Sequence, residues 1–145
     1  MANPDPPSST TVVLEQMFHS DSLFALRSAV AAHGAELGLS GHRLGDLVLV
    51  AHELAANAVR HGGATEGAPA RLRLWRTATG VVCEVTDQGP GLTDLSAGVA
   101  AVTAAATNGR GLWITRQIAQ DVTIATGPGG TVVTVTIDPK EDADL

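Results

Sequence analysis

One segment with helical periodicity carries polar residues at a spacing suited to metal and phosphate chemistry. Glu53, Asn57 and His61 recur every four residues, so a helix aligns them in one row beside an apolar stripe that includes Leu54 and Ala58. A carboxylate one turn from a carboxamide can activate a hydroxyl group and can ligate a hard cation. An ordinary solvated helix face is the more common outcome for such a triplet by itself. The function therefore depends on what lies opposite this row.

A second candidate is the sequence Asp87-Gln88-Gly89-Pro90-Gly91, which follows a run of strand-forming residues. By strand alternation, Asp87 shares an inward face with Cys83 and Val85. An inward carboxylate needs a hydrogen-bond donor, and the amino group of a ligand would serve. Gly89 and Gly91 would let the backbone approach that ligand closely. A plain β-turn that begins with aspartate is the alternative.

A third candidate is Gly109-Arg110-Gly111-Leu112, at the start of a predicted helix. Free backbone amides and the positive end of the helix dipole favour phosphate there. Arg110 could reach such a phosphate, although an arginine at this kind of position usually lies on the surface. Thr131 follows a Gly-Gly turn and opens the last predicted strand.

The elements that must position these residues alternate in the order βααββαββ. This order predicts an α/β (α+β) fold, a two-layer sandwich in which helices cover one face of a mixed β-sheet. We expect a flexible leader at 1–9, one domain at 10–138 and an acidic tail at 139–145. The predicted elements are a strand at 11–18, helices from about 20 to 37 and 41 to 61, strands at 71–76 and 81–87, a helix from 109, and strands at 122–126 and 131–137.

Composition excludes several classes of function. The 145 residues carry a net charge of −6 and a single lysine, Lys140, so no basic stripe exists for direct nucleic-acid binding. One cysteine, Cys83, rules out a disulfide framework within the chain and is expected to be a buried, inert thiol. No apolar run approaches the roughly 20 residues that span a bilayer, and no signal-peptide pattern opens the sequence. We therefore expect a cytoplasmic protein with no membrane contact.

Together, the three motifs resemble the N, G1 and G2 boxes of the GHKL (histidine-kinase-like) ATPase and kinase superfamily. The N box corresponds to residues 53–58, the G1 box to Asp87-x-Gly89-x-Gly91 and the G2 box to Gly109-x-Gly111-Leu112. The run 130–133 is similar to the last adenine-side motif. The resemblance covers residues 11–137 and implies a Bergerat-type ATP-binding fold. Within the superfamily, the runs 52–62 and 109–117 look most like stand-alone bacterial anti-sigma-factor serine/threonine kinases.

That resemblance implies roles for individual residues, with ATP and Mg²⁺ as cofactors. Glu53 would be the general base, Asn57 the Mg²⁺ ligand and Asp87 the acceptor for the adenine amino group. Thr131 would lie near the adenine through water, and the segment 92–108 would form the ATP lid. The remaining nucleotide-site residues would be Arg60, His61, Gly89, Gly91, Gly109, Arg110, Gly111 and Leu112. His52 points away from Glu53 on the helix and is expected to be structural.

The resemblance also implies partners. Members of that family bind a sigma factor and phosphorylate an anti-anti-sigma protein with a STAS domain, and a homodimer fits the same pattern. The alternative is a nucleotide-gated module that sequesters a sigma factor with little or no kinase activity. The predicted lid favours this alternative, because it holds no lysine or arginine before Arg110.

Overall fold

Five strands and three helices make up the described part of the chain. The structure is a computed structural model that describes residues 11–89 and 110–139. A short 3-10 turn at Ser20–Ser22 precedes the first helix. The elements are β1 (Val12–Phe18), α1 (Leu23–Glu36), α2 (Gly41–Arg60), β2 (Ala70–Arg76), β3 (Val81–Asp87), α3 (Arg110–Ile118), β4 (Asp121–Gly127) and β5 (Gly130–Ile137). The predicted order βααββαββ is confirmed.

The sheet has the strand order β1-β2-β3-β5-β4, and each neighbouring pair is antiparallel. The predicted two-layer α+β architecture is confirmed, but the sheet that we expected to be mixed is antiparallel between neighbours. The reason lies in the last hairpin. The α3 crossover brings β4 back in the direction of β3, and β5 then folds between these two strands. β3 and β4, which run in the same direction, are therefore not adjacent.

The long helix α2 buries the apolar stripe that its sequence predicts. The buried side chains of α2 are Leu47, Val50, Ala51, Leu54, Ala55 and Ala58. Ser40 takes the N-cap position, although its side chain makes no capping hydrogen bond, and Gly63 adopts a left-handed backbone (φ +66°) just after the helix. Glycine tolerates that conformation without the steric penalty of a Cβ, so the chain can turn towards β2.

The core lies between the three helices and one face of the sheet. Leu72 and Leu74 of β2, Cys83 of β3 and Val135 of β5 are buried on this face. Burial, together with the neighbouring charge of Glu84, raises the pKa of the Cys83 thiol to about 12. This confirms that Cys83 is buried, and the raised pKa keeps it in the unreactive thiol form at neutral pH.

The opposite face of the sheet holds an ion-pair cluster that the sequence analysis missed. Glu84 is only 2% exposed, and its Oε1 lies 2.7 Å from a guanidinium nitrogen of Arg73 and 3.7 Å from one of Arg71. Arg73 also covers the ring of Trp75, with its Cζ 5.4 Å from the ring centroid. Strand pairing places Arg73 directly opposite Glu84, so the charges neutralise each other where water is excluded. Among the described residues, no helix is both long and apolar enough to cross a membrane.

Candidate functional site

A cavity lies between α2 and the ends of β3 and β5. One wall of the cavity is apolar, and polar side chains form its rim. The lining residues are Leu54, Asn57, Ala58, His61, Gly62, Val85, Asp87, Leu112, Thr131 and Val133. Five of these, Asn57, His61, Asp87, Leu112 and Thr131, are residues that the sequence analysis assigned to a nucleotide site. The structure therefore brings together residues that lie as much as 74 positions apart in the sequence, counted from Asn57 to Thr131.

The register of the central strands determines which residues face the cavity. Asp87, the last residue of β3, pairs directly with Thr131 of β5. Paired residues of antiparallel strands point to the same face, so the two side chains lie side by side below α2. Thr131 is 5% exposed, and its hydroxyl group lies 2.9 Å from that of Thr126 on β4. The hairpin thus fixes the position of the Thr131 hydroxyl.

The carboxylate of Asp87 is held by glycines on both sides. The backbone N–H of Gly89 donates to its Oδ1 at 2.9 Å. A Cβ added to Gly62 would lie 2.7 Å from its Oδ2, and a Cβ added to Gly89 would lie 2.5 Å from the Cα of Gly62. Both contacts are too short for a side chain, so glycine is required at these two positions. Among the described residues Oδ2 has no hydrogen-bond donor, so it can accept one from a ligand.

The start of α3 packs against the polar row of α2. A Cβ added to Gly111 would lie 2.8 Å from Oε1 of Glu53 and 3.5 Å from Nδ2 of Asn57. The first and third sequence motifs are therefore in direct contact. Absence of a side chain at residue 111 leaves room for the Glu53 carboxylate, which lies half-buried beneath α3.

Asn57 and His61 present polar atoms at the end of α2. The guanidinium of Arg60 donates to Oδ1 of Asn57 at 2.8 Å, on the exposed side of the helix. His61 lines the cavity, and its Nε2 is buried with no hydrogen-bond partner among the described residues. A buried nitrogen of this kind is unfavourable unless a ligand or water satisfies it.

Some of the predicted site lies outside the described residues. Gly91, Gly109 and the predicted lid 92–108 are not among them. Arg110 is described only as the first residue of α3. Sequence reasoning also missed part of the site: Gly62, Val85 and Val133 were not among the predicted nucleotide-site residues, although Gly62 and Val133 lie in the runs 52–62 and 130–133 that carry the resemblance. Their part in the cavity follows from contacts between elements, for which the sequence carries no local signal.

The donor atoms suit a cation that arrives with its own oxygen ligands. Among residues 11–89 and 110–139, no cluster of three or more His, Cys, Asp or Glu side chains could hold a metal ion alone. The Oδ1 of Asn57 is a hard oxygen ligand at the cavity rim. Mg²⁺ commonly binds through one or two protein oxygens, with phosphate oxygens and water completing its coordination. The residues present therefore fit a magnesium ion bound together with phosphates.

Comparison with known proteins identifies the domain type. A family model for the histidine kinase-like ATPase domain matches residues 19–137. No curated protein matches the chain. Among solved structures, the fold is similar to the histidine kinase domain from the Erythrobacter litoralis EL346 blue-light activated histidine kinase. That match has a TM-score of 0.54 and 18% identity, over 82% of this chain and 60% of the other.

A second structure is named as the E. litoralis EL346 blue-light activated histidine kinase. It matches with a TM-score of 0.57 and 17% identity, over 85% of this chain and 43% of that one. The chain thus spans less than two thirds of either structure. At these identities, both similarities establish the fold.

Proposed function

The chain belongs to the histidine kinase-like ATPase domain family, and from this premise we propose that it is an anti-sigma-factor-type serine/threonine kinase. It binds ATP with Mg²⁺ and phosphorylates an anti-anti-sigma protein with a STAS domain, and so regulates the availability of a sigma factor. The observation that carries the proposal is that Asn57 and Asp87 line one cavity, while Gly111 at the start of α3 packs against both Asn57 and Glu53. A homodimer and a cytoplasmic location belong to the same proposal.

Adenine recognition rests on Asp87 and the apolar wall. The exocyclic amino group of adenine donates to Oδ2 of Asp87, while the ring packs against Leu54, Val85 and Val133. Guanine carries a carbonyl oxygen in place of that amino group. Two acceptors would then face each other, with no proton between them, so GTP should bind much more weakly than ATP.

The phosphates extend towards Asn57 and the start of α3. Asn57 would hold the metal ion through Oδ1, which accepts a hydrogen bond from Arg60 in this structure. The guanidinium of Arg60 would supply a counter-charge to the phosphates. The start of α3, where Gly111 packs against Asn57, lies on the same side, and the dipole at a helix N-terminus favours anions. When bound, Mg²⁺ would neutralise charge that develops on the phosphates.

Phosphoryl transfer requires a base near the acceptor hydroxyl. Glu53 accepts the proton of a serine or threonine hydroxyl group. At the same time, the hydroxyl oxygen of that serine or threonine bonds to the γ-phosphorus. The bond from phosphorus to the bridging oxygen breaks, and ADP leaves with that electron pair. Glu53 is one helical turn from Asn57, so the base and the metal ligand lie on the same row of α2.

Calorimetric titration tests the binding step. ATP, ADP and GTP are titrated into the protein with Mg²⁺ and again with EDTA. We expect metal-dependent binding of the adenine nucleotides and at least tenfold weaker binding of GTP. Absence of ATP binding at millimolar concentration would refute the nucleotide site.

A second candidate function is a nucleotide-gated module that sequesters a sigma factor with little or no kinase activity. The contact of Gly111 with Glu53 favours it, because α3 covers one side of the carboxylate and narrows the approach of an acceptor hydroxyl. Incubation with radiolabelled Mg-ATP and candidate STAS proteins separates the two functions. Partner binding without transfer of label supports the module.

A further inference from the structure

A second concave surface lies on the outer side of the helix layer, between α1 and α2. This groove has a volume of about 490 Å³ and is open to solvent. Leu44, Val48 and Leu49 of α2 supply its apolar lining, and Arg27 of α1 and His52 of α2 supply polar groups. His52 and Glu53 are neighbours on α2, so the helix presents one to the groove and the other to α3.

The helices leave large apolar side chains uncovered around this groove. Phe24 of α1 is 75% exposed and Leu49 of α2 is 40% exposed. Helix α1 also exposes Ala25 and Ala32, although Leu26 on its other side is buried. Phenylalanine and alanine thus occupy solvent-facing positions of α1, beside the charged Arg27 and Glu36. The surface therefore has the character of an interface that lacks its partner.

The polar groups at the groove indicate the charge of that partner. The guanidinium of Arg27 lies 5.7 Å from the centroid of the Phe24 ring. Among the described residues, Arg27 has no carboxylate partner, and the buried Nδ1 of His52 has no hydrogen-bond partner. No carboxylate belongs to the described lining of the groove. A ligand with a carboxylate would supply the partner that the Arg27 guanidinium lacks.

We propose that this groove binds an amphipathic helix of a partner protein, with apolar residues along one face and an acidic residue that pairs with Arg27. Two packed helices leave a groove that accepts a third helix by the same ridge packing. A second copy of this chain placed symmetrically on the groove would bring two Arg27 side chains together. The described lining offers no carboxylate to neutralise these two positive charges, so a partner with an acidic residue fits the groove better. The proposal does not depend on phosphotransfer.

Two synthetic peptides test the charge preference. Each has 14 residues and the same leucine stripe, with glutamate at the polar positions of one and lysine at those of the other. Because the protein has a net charge of −6, non-specific attraction favours the lysine peptide. We expect fluorescence anisotropy to show at least tenfold tighter binding of the glutamate peptide. Equal binding, tighter binding of the lysine peptide, or no binding of the glutamate peptide at millimolar concentration overturns the proposal.

Variants locate the binding surface. A Cβ added to Gly45, which lines the groove, would meet nothing within 4 Å, so Gly45→Leu fills the groove without a clash at Cβ. This variant should weaken binding of the glutamate peptide at least tenfold, and Arg27→Gln about fivefold. Met17→Ser is the matched control, since it removes a 50% exposed apolar side chain from β1 instead of the helix layer.

ATP affinity is measured on the same variants to monitor the fold and the proposed nucleotide cavity. We expect the ATP affinity to stay unchanged. Unaltered peptide affinity in Gly45→Leu would show that the groove is not the binding surface, whatever the result for ATP. If the wild-type protein binds the glutamate peptide but not ATP, the proposed function is refuted and the docking surface remains supported.

Discussion

The substitution Asp87→Asn isolates a single hydrogen bond of the proposed nucleotide site. The N–H of Gly89 donates to Oδ1 of Asp87 at 2.9 Å and fixes the orientation of the side chain. An asparagine therefore keeps its oxygen towards Gly89 and turns its NH₂ group into the position of Oδ2. That group would face the amino group of adenine, so two donors would meet where a donor and a carboxylate met before.

The size of the effect follows from the lost interaction. A hydrogen bond to a charged group contributes about 1.5–3 kcal/mol, and leaving a buried donor unpaired adds to the loss. We expect ATP affinity to fall by about 2–3 kcal/mol, which is roughly 30- to 150-fold in Kd. The NH₂ group of asparagine can donate to the carbonyl oxygen of guanine, so the preference for ATP over GTP should shrink or reverse.

Titration calorimetry of Asp87→Asn with Mg-ATP and Mg-GTP measures both effects. Because the bond from Gly89 survives, the Tm should change by no more than about 3 °C. Asp121→Asn, at an exposed carboxylate on β4, is the control for the loss of one negative charge. ATP affinity within threefold of the wild type would refute the placement of adenine against Asp87.

Four further predictions concern the base, the glycine packed against it, the ion-pair cluster and the thiol. Glu53→Ala should retain ATP binding and lose phosphotransfer to a STAS protein, and undiminished transfer would rule out Glu53 as the base. Gly111→Ala should lower the free energy of unfolding by about 1 kcal/mol, because the added Cβ would lie 2.8 Å from the flexible Oε1 of Glu53 and 3.3 Å from its Cβ, and it should reduce transfer at least tenfold; urea unfolding and a transfer assay measure the two. Arg73→Met should lower the free energy of unfolding by about 3 kcal/mol in urea titration, since it leaves the buried charge of Glu84 poorly paired, and a loss below 1 kcal/mol would contradict this account. Cys83 should resist thiol reagents in the native state, and stability should fall as pH rises from about 9 towards 12, because the unfolded thiol ionises in this range while the native one, with its pKa of about 12, stays protonated; native-state labelling at neutral pH would disprove the burial argument.

The two candidate sites share one helix. α2 contributes Asn57 and His61 to the proposed nucleotide cavity, and Leu44, Val48 and His52 to the outer groove. A rigid helix that lines both sites offers a direct physical connection between a bound partner and a bound nucleotide. ATP titration in the presence of the glutamate peptide measures any coupling between the two.

Local sequence patterns determined the elements and the residue types of the site. The apolar period of 41–60 is sufficient to predict α2 and the row of Glu53, Asn57 and His61 on its side, since a helix has a fixed rise and rotation per residue. Alternation in 81–87 likewise predicts that Asp87 shares the face of Cys83, because successive side chains of a strand point to opposite faces. These inferences need only neighbours within a few positions along the chain.

Tertiary structure alone decided how the elements meet. The pairing of Asp87 with Thr131, the contact of Gly111 with Glu53 and the antiparallel position of β5 each join segments far apart in the sequence. The exposed groove beside Arg27 also depends on how α1 packs against α2. Such contacts are set by the simultaneous packing of several elements into one core, and no local period encodes that arrangement.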